Sequence, residues 1–134
     1  MIAATHRLRR HADYQLVYKT GRKQYGGQTS YFFRLRKPAD PATPLASPDA
    51  PRIGLTVGKS MGKAVDRNRI KRRMRAAVRS QLPLLRAPVD VVLHPKREVI
   101  DLDFQTLQRD VAAVFRSIQQ ASERQLARPP AVAQ

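Results

Sequence analysis

No cysteine occurs in this chain of 134 residues. Disulfides and thiolate metal sites are therefore excluded. No stretch reaches the ~18 to 20 consecutive apolar residues that a membrane-spanning helix needs. The opening residues, 1–14, are basic and lack the apolar segment of a secretory signal. An organellar transit segment is the lesser alternative, and a cytoplasmic protein is the expectation. Acids are scarce: 10 Asp and Glu stand against 26 Lys and Arg. A metal-dependent nuclease wants convergent carboxylates for its cations, and so few acids, several of them in loops or at helix ends, do not provide them. His6, His11 and His94 are scattered, with no metal-ligand spacing. No serine sits in a recognisable nucleophile turn. No catalytic residue and no metal ligand is expected of this chain.

What is abundant is positive charge, a formal +16. A field of that strength points to a polyanionic partner. The charge concentrates in residues 64–79, AVDRNRIKRRMRAAVR, where Asp66 is the lone acid. On a helical wheel Ile70, Met74, Ala77 and Val78 gather into one stripe. Asn68, Arg72, Arg75 and Arg79 lie opposite. Lys71 flanks them on one side, Arg69 and Arg73 on the other, and Arg67 sits near the edge of the stripe. This is a core-facing helix with a ridge of guanidinium groups. A merely solvated helix mixes signs at i,i+4, and this one does not. Arginine's planar fork binds phosphate bidentately and stacks on bases. A membrane-surface helix needs a broad face of large apolar groups, and only Ile70, Met74 and Val78 are available here. Nucleic acid remains, and the wheel does not choose between DNA and RNA.

The rest of the chain reads as a small α+β domain in the order α-β-β-α-β-α. Residues 11–20 form a first helix that stops at Gly21. Residues 29–36 form a strand with Tyr31, Phe33 and Leu35 on one face. Residues 38–51 hold five prolines and read as an exposed, mobile loop. Residues 52–58 alternate Ile53, Leu55 and Val57 as a half-buried strand. Residues 88–94 read as a buried strand. The last helix starts near Asp101 or Asp103, either a suitable cap, with Phe104, Leu107, Val111, Val114, Phe115 and Ile118 as its apolar stripe. Residues 1–120 are expected to form the domain and 121–134 a flexible tail. Strands on both sides of the basic helix argue against a helix-turn-helix DNA reader.

The stretch GKAVDRNRIKRRMR closely resembles the signature of the protein-subunit family of bacterial ribonuclease P. Gly62, Lys63 and Ala64 are followed by Arg67, Asn68, Arg69, Lys71, Arg72 and Arg75, as in that family. RLRRHADYQLVYKTGRK resembles the family's first helix, and PRIGLTVGK and VDVVLHPK its strands on either side of the basic helix. The resemblance implies a left-handed βαβ crossover carrying that helix. It implies that the helix and the preceding turn bind a large catalytic RNA, which hydrolyses the phosphodiester with Mg²⁺. It also implies that a cleft between the first helix and the sheet holds the single-stranded 5′ leader of precursor tRNA. The partners are then that RNA and precursor tRNA, with neither DNA nor membrane, and one monomeric protein per RNA. Lys63, Arg67, Asn68, Arg69, Lys71, Arg72, Arg75 and Arg79 are the expected contacts to the catalytic RNA. Tyr14, Tyr18, Tyr31 and Phe33 are the aromatics expected to stack on leader bases, with Arg52 and Lys59 holding leader phosphates. The bland alternatives are core packing for Tyr31 and Phe33 and plain surface charge for Arg52 and Lys59. Two departures stand out. Ser60 and Met61 replace basic residues common in the turn, and Ala76 replaces a frequent glutamate that would support the arginines. Three other classes compete: a structural RNA-binding protein and, more remotely, a DNA-binding regulator and a protein-only ribonuclease.

Overall fold

The computed structural model describes residues 6–37 and 49–127. Its elements are α1 (His11–Thr20), β1 (Arg22–Tyr25), β2 (Thr29–Leu35), β3 (Arg52–Leu55), α2 (Ala64–Gln81), β4 (Val89–Pro95) and α3 (Phe104–Ala127). The expected order of elements is present, with one further short strand, β1, ahead of β2. β1 is exposed along its length and polar, RKQY, so hydrophobic periodicity gives no sign of it. The Gly26-Gly27 pair at the turn into β2 is the signal that was there to read.

The sheet runs β1-β2-β4-β3. β1–β2 and β2–β4 are antiparallel, whereas β3 and β4 are parallel neighbours. The parallel pair requires a crossover, and α2 supplies it. α2 and α3 cover one face of the sheet, where Ile70, Met74, Ala77 and Val78 of α2 meet Leu107, Val111, Val114, Phe115 and Ile118 of α3 over Val91 and Leu93. The stripe read from the wheel is the buried stripe observed. α1 covers part of the opposite face, over a smaller cluster of Leu8, Val17 and Val92 with Tyr14, Tyr18 and Phe32 packed against it.

Caps explain where the long helices begin. The Asp66 carboxylate accepts the Lys63 backbone N–H at 3.2 Å, and Asp103 accepts the Thr106 N–H at 3.2 Å, so Asp103 is the cap of α3. Gly62 has φ +125°, and a Cβ there would lie 3.0 Å from the Asp66 carboxylate. Only glycine turns the chain into α2 this tightly. The expected tail from residue 121 is corrected: α3 continues through Ala127, with Ser122 buried and Ala121 packed on the core. The strand expected over 52–58 ends at Leu55, although Thr56 still donates its N–H to the Leu93 carbonyl at 2.9 Å. Most of the proline-rich segment, residues 38–48, lies outside the described residues, as do 128–134.

Candidate nucleic-acid interface

The ridge on α2 is built by helical periodicity alone. With Ile70, Met74, Ala77 and Val78 fixed against the core, Asn68, Arg72 and Arg79 are exposed, and Lys71 and Arg75 are partly so. Lys63 is exposed at the start of the helix, and Lys59 is exposed in the turn before it. Two arginines of the run also have work inside the fold. Arg73 donates its Nε to the Val99 carbonyl at 3.0 Å and Nη2 to the Leu102 carbonyl. Arg69 donates Nε to the Ile100 carbonyl at 3.1 Å, while its side chain stays 53% exposed. Both hold α2 to the segment before α3. Arg67 has a buried Nε with no acceptor among the described residues. Ala76 lines a concavity of about 310 Å³ with Arg69, Arg72, Arg73 and Phe104. A glutamate at 76 would put a carboxylate there; without one its charged lining is arginine alone.

The second surface is the sheet face under α1, which is organised in cross-strand rows. In the first row Arg52, Asp90 and Arg34 are paired across β3, β4 and β2. Asp90, 1% exposed, accepts Arg52 Nε and Nη2, both at 2.8 Å, and Arg36 Nη1 at 2.6 Å. Arg52 also reaches Asp13 of α1 at 3.4 Å. Burial works against the Arg52 charge, but the hydrogen bonds and charge of Asp90, and then Asp13, outweigh it and raise its pKa. This ionic cluster closes one end of the cleft.

In the next row lie Gly54, Val92, Phe32 and Lys23. Tyr14 crosses over Gly54 so closely that a Cβ would fall 2.4 Å from its hydroxyl. Burial is the main cause that pushes the Tyr14 phenol up from its usual pKa. Beyond that row Tyr18, Phe32 and His94 form an aromatic group. The Tyr18 and Phe32 rings meet edge to face at 4.9 Å, and the His94 ring lies 5.7 Å and 5.5 Å from them. The Tyr18 hydroxyl bonds to Thr56 Oγ1 and His94 Nε2, each at 3.1 Å. Burial first, and then the Lys23 charge, lowers the His94 pKa.

Two of the expected leader residues are elsewhere. Tyr31 and Phe33 are 4% and 6% exposed and lie in the main core under α2 and α3. Bringing such a ring out would forgo about 1.5–3 kcal/mol of burial, as much as the ~1–3 kcal/mol that stacking on a base returns. Arg52 stays on the cleft face, buried, with its guanidinium engaged by Asp90 and Asp13. Strand alternation correctly groups Tyr31 with Phe33, but it does not say which face of a two-sided sheet stays open. Phe32, on the other face, is the aromatic of β2 that enters the cleft. His94 is the other residue that sequence reasoning passed over, and its place at the end of a buried strand was the available sign. Tyr14 and Tyr18 lie on the sheet face under α1, and Lys59 is exposed in the turn between β3 and α2.

The two surfaces meet. A cavity of about 450 Å³ is lined by Arg7, Arg9, Tyr14, Gly54 and Arg75, so the ridge of α2 opens directly into the cleft under α1. Residues of the N-terminal segment reach it because Leu8 donates its N–H to the Ile53 carbonyl at 3.0 Å, placing that segment beside β3.

Comparison with known proteins gives a consistent result. A family model described as Ribonuclease P matches residues 2–119. The chain is 30% identical over 118 residues to the Ribonuclease P protein component of Thermobifida fusca, covering 88% of this chain and 79% of that protein. It is 37% identical over 100 residues to that of Dictyoglomus thermophilum, covering 73% and 75%. Among solved structures, the RNase P protein from Thermotoga maritima superposes with TM-score 0.68 at 25% identity, covering 83% of this chain and 96% of that one. The Staphylococcus aureus RNase P protein does so with TM-score 0.66 at 24% identity, covering 85% and 95%.

Proposed function

The chain belongs to the ribonuclease P protein family, and from that premise we propose that it is the protein component of a ribonuclease P ribonucleoprotein. It docks on the catalytic RNA through the α2 ridge and receives the 5′ leader of precursor tRNA in the cleft under α1. It thereby assists endonucleolytic removal of the leader, which leaves the mature tRNA 5′ end. The observation that carries this reading is the continuity of an arginine ridge with an aromatic cleft, joined at Arg75 and Tyr14. The ridge suits a folded polyanion. The cleft suits unpaired bases, which stack on aromatic rings whatever their identity.

The contribution is positional and electrostatic. Ridge arginines neutralise phosphates of the catalytic RNA and so lower the Mg²⁺ concentration at which it works. The leader adds binding energy that mature tRNA lacks, so product binds more weakly than substrate. Among the described residues no three His, Asp or Glu converge to hold a cation. Asp90 and Asp13 are committed to arginines. The donor set does not fit a protein-held Mg²⁺, and the metal chemistry is assigned to the RNA. The protein acts in the cytoplasm, monomeric and one copy per RNA, with neither DNA nor membrane as partner. Among the described residues no helix is long and apolar enough to cross a membrane.

The test is 5′ processing of precursor tRNA by a bacterial ribonuclease P RNA at low Mg²⁺. It is run without protein, with this protein, and with Arg67, Arg69, Lys71 and Arg72 changed to Ala. Rescue by the wild type alone is expected. Rescue by both moves the docking surface off α2. RNA binding without rescue would favour a structural RNA-binding protein instead.

A further inference from the structure

The sheet face under α1 does not end at Phe32. β1 adds Lys23 and Tyr25 to it, Lys23 opposite Phe32 and Tyr25 opposite Ser30. Ser30 is in turn opposite His94. Tyr25 therefore shares a cross-strand row with His94, two strands away, roughly 10 Å at ordinary strand spacing. The Lys23 ammonium lies 5.1 Å from the Tyr25 ring centre and 5.5 Å from that of Phe32, so it links the two rings.

Tyr25 is 78% exposed. It contributes nothing to either core, and the edge strand it occupies is exposed throughout. Edge strands are guarded against pairing by charge, which Arg22 and Lys23 already supply. An exposed aromatic serves no such purpose. Its ring stands on the same sheet face as the Tyr18, Phe32 and His94 group, with a cation between.

We propose that Tyr25, together with Lys23, is a further stacking station for an unpaired nucleotide of the RNA leader, beyond the cleft itself. The inference rests on the leader-binding reading of that cleft. A strand that enters beside α2 at Arg75 and Tyr14 crosses β3, β4 and β2 in turn and leaves over β1. Tyr25 then meets a nucleotide further from the cleavage site than those at Tyr14 and Tyr18. Lys23 sits where the phosphate between two stacked bases passes. Continuity with the cleft and the chain's +16 charge favour this occupant over an uncharged peptide strand.

The experiment uses the holoenzyme reconstituted with a bacterial ribonuclease P RNA. Affinity is measured for precursor tRNAs whose leaders are lengthened one nucleotide at a time, with wild type, Tyr25→Ala, Tyr25→Phe and Tyr18→Ala. The wild type is expected to gain affinity in a late step as the leader reaches β1. Tyr25→Ala removes that late step, about five-fold or more for one stacked base, while Tyr25→Phe keeps it. Tyr18→Ala removes an earlier step. Loss of the early step in Tyr18→Ala with the late step intact in Tyr25→Ala overturns the station at Tyr25 and leaves the leader cleft standing. Leader steps unchanged in both Ala variants overturn the cleft reading as well. An equal loss at every leader length in Tyr25→Ala, with weakened assembly on the RNA alone, moves Tyr25 to the catalytic-RNA interface and overturns the proposal.

Discussion

Asp90 and His94 lie four residues apart on one strand and close the two ends of the same sheet face. Asp90 is the shared counter-charge of Arg36 and Arg52. Asp90→Asn keeps the shape and removes the buried carboxylate charge that Arg36 and Arg52 share. A loss of about 3–5 kcal/mol in urea unfolding is expected; a loss within experimental error would mean that water reaches the cluster. His94 is held neutral by burial and by Lys23, with its Nε2 bonded to the Tyr18 hydroxyl. Its folded pKa lies below the unfolded value of about 6.5. Below 6.5 the unfolded chain takes up a proton that the folded chain resists, so stability falls as pH drops toward the lowered value. Above 6.5 the contribution is fully present. Stability measured against pH should show this slope in the wild type and a flatter profile in His94→Gln. The roles of both residues depend on partners distant in sequence, Asp90 on Arg52 and His94 on Tyr18, which is why neither was legible.

At the scale of the element, α2 serves the fold along its buried stripe and through Arg69 and Arg73 on one flank, and the rest of its circumference is open. Arg72 and Arg73 are neighbours in sequence and differ in function by 100° of helix. Arg73 is bonded to the carbonyls of Val99 and Leu102, and Arg72 is exposed. Arg73→Ala should destabilise the protein by about 1.5–3 kcal/mol, the worth of hydrogen bonds from a charged group. Arg72→Ala should leave unfolding unchanged and weaken RNA binding. The paired measurements are thermal melts and RNA affinity, and equal effects on both would contradict this division. The wheel read from the sequence separates the buried stripe from the ridge correctly. It did not reveal that the segment 97–102 lies across the helix and engages Arg69 and Arg73, because that contact is made by backbone carbonyls.

At the scale of the whole molecule, the formal charge is +16. Log affinity for the catalytic RNA should fall linearly with log salt. Arg72→Ala and Arg79→Ala should each make that slope shallower by about one. Binding titrations across salt concentrations check this directly; a slope that neither variant alters would remove both residues from the interface.

The sequence by itself determined every element but β1, the core stripes of α2 and α3, and the basic ridge that α2 leaves exposed. Each of these depends on local periodicity, capping or net composition, which a linear chain carries in full. The kinship was also visible there, in the spacing from Gly62 to Arg75. Only the tertiary structure decided which face of the sheet α1 leaves open. That choice sends Tyr31 and Phe33 to the core, Phe32 to the cleft and Arg52 to a buried ionic cluster. It also sets His94 beside Tyr18 and brings the polar strand β1 into line with them. Period-two alternation sorts residues into two faces but assigns neither, because the assignment depends on helices that pack from elsewhere in the chain.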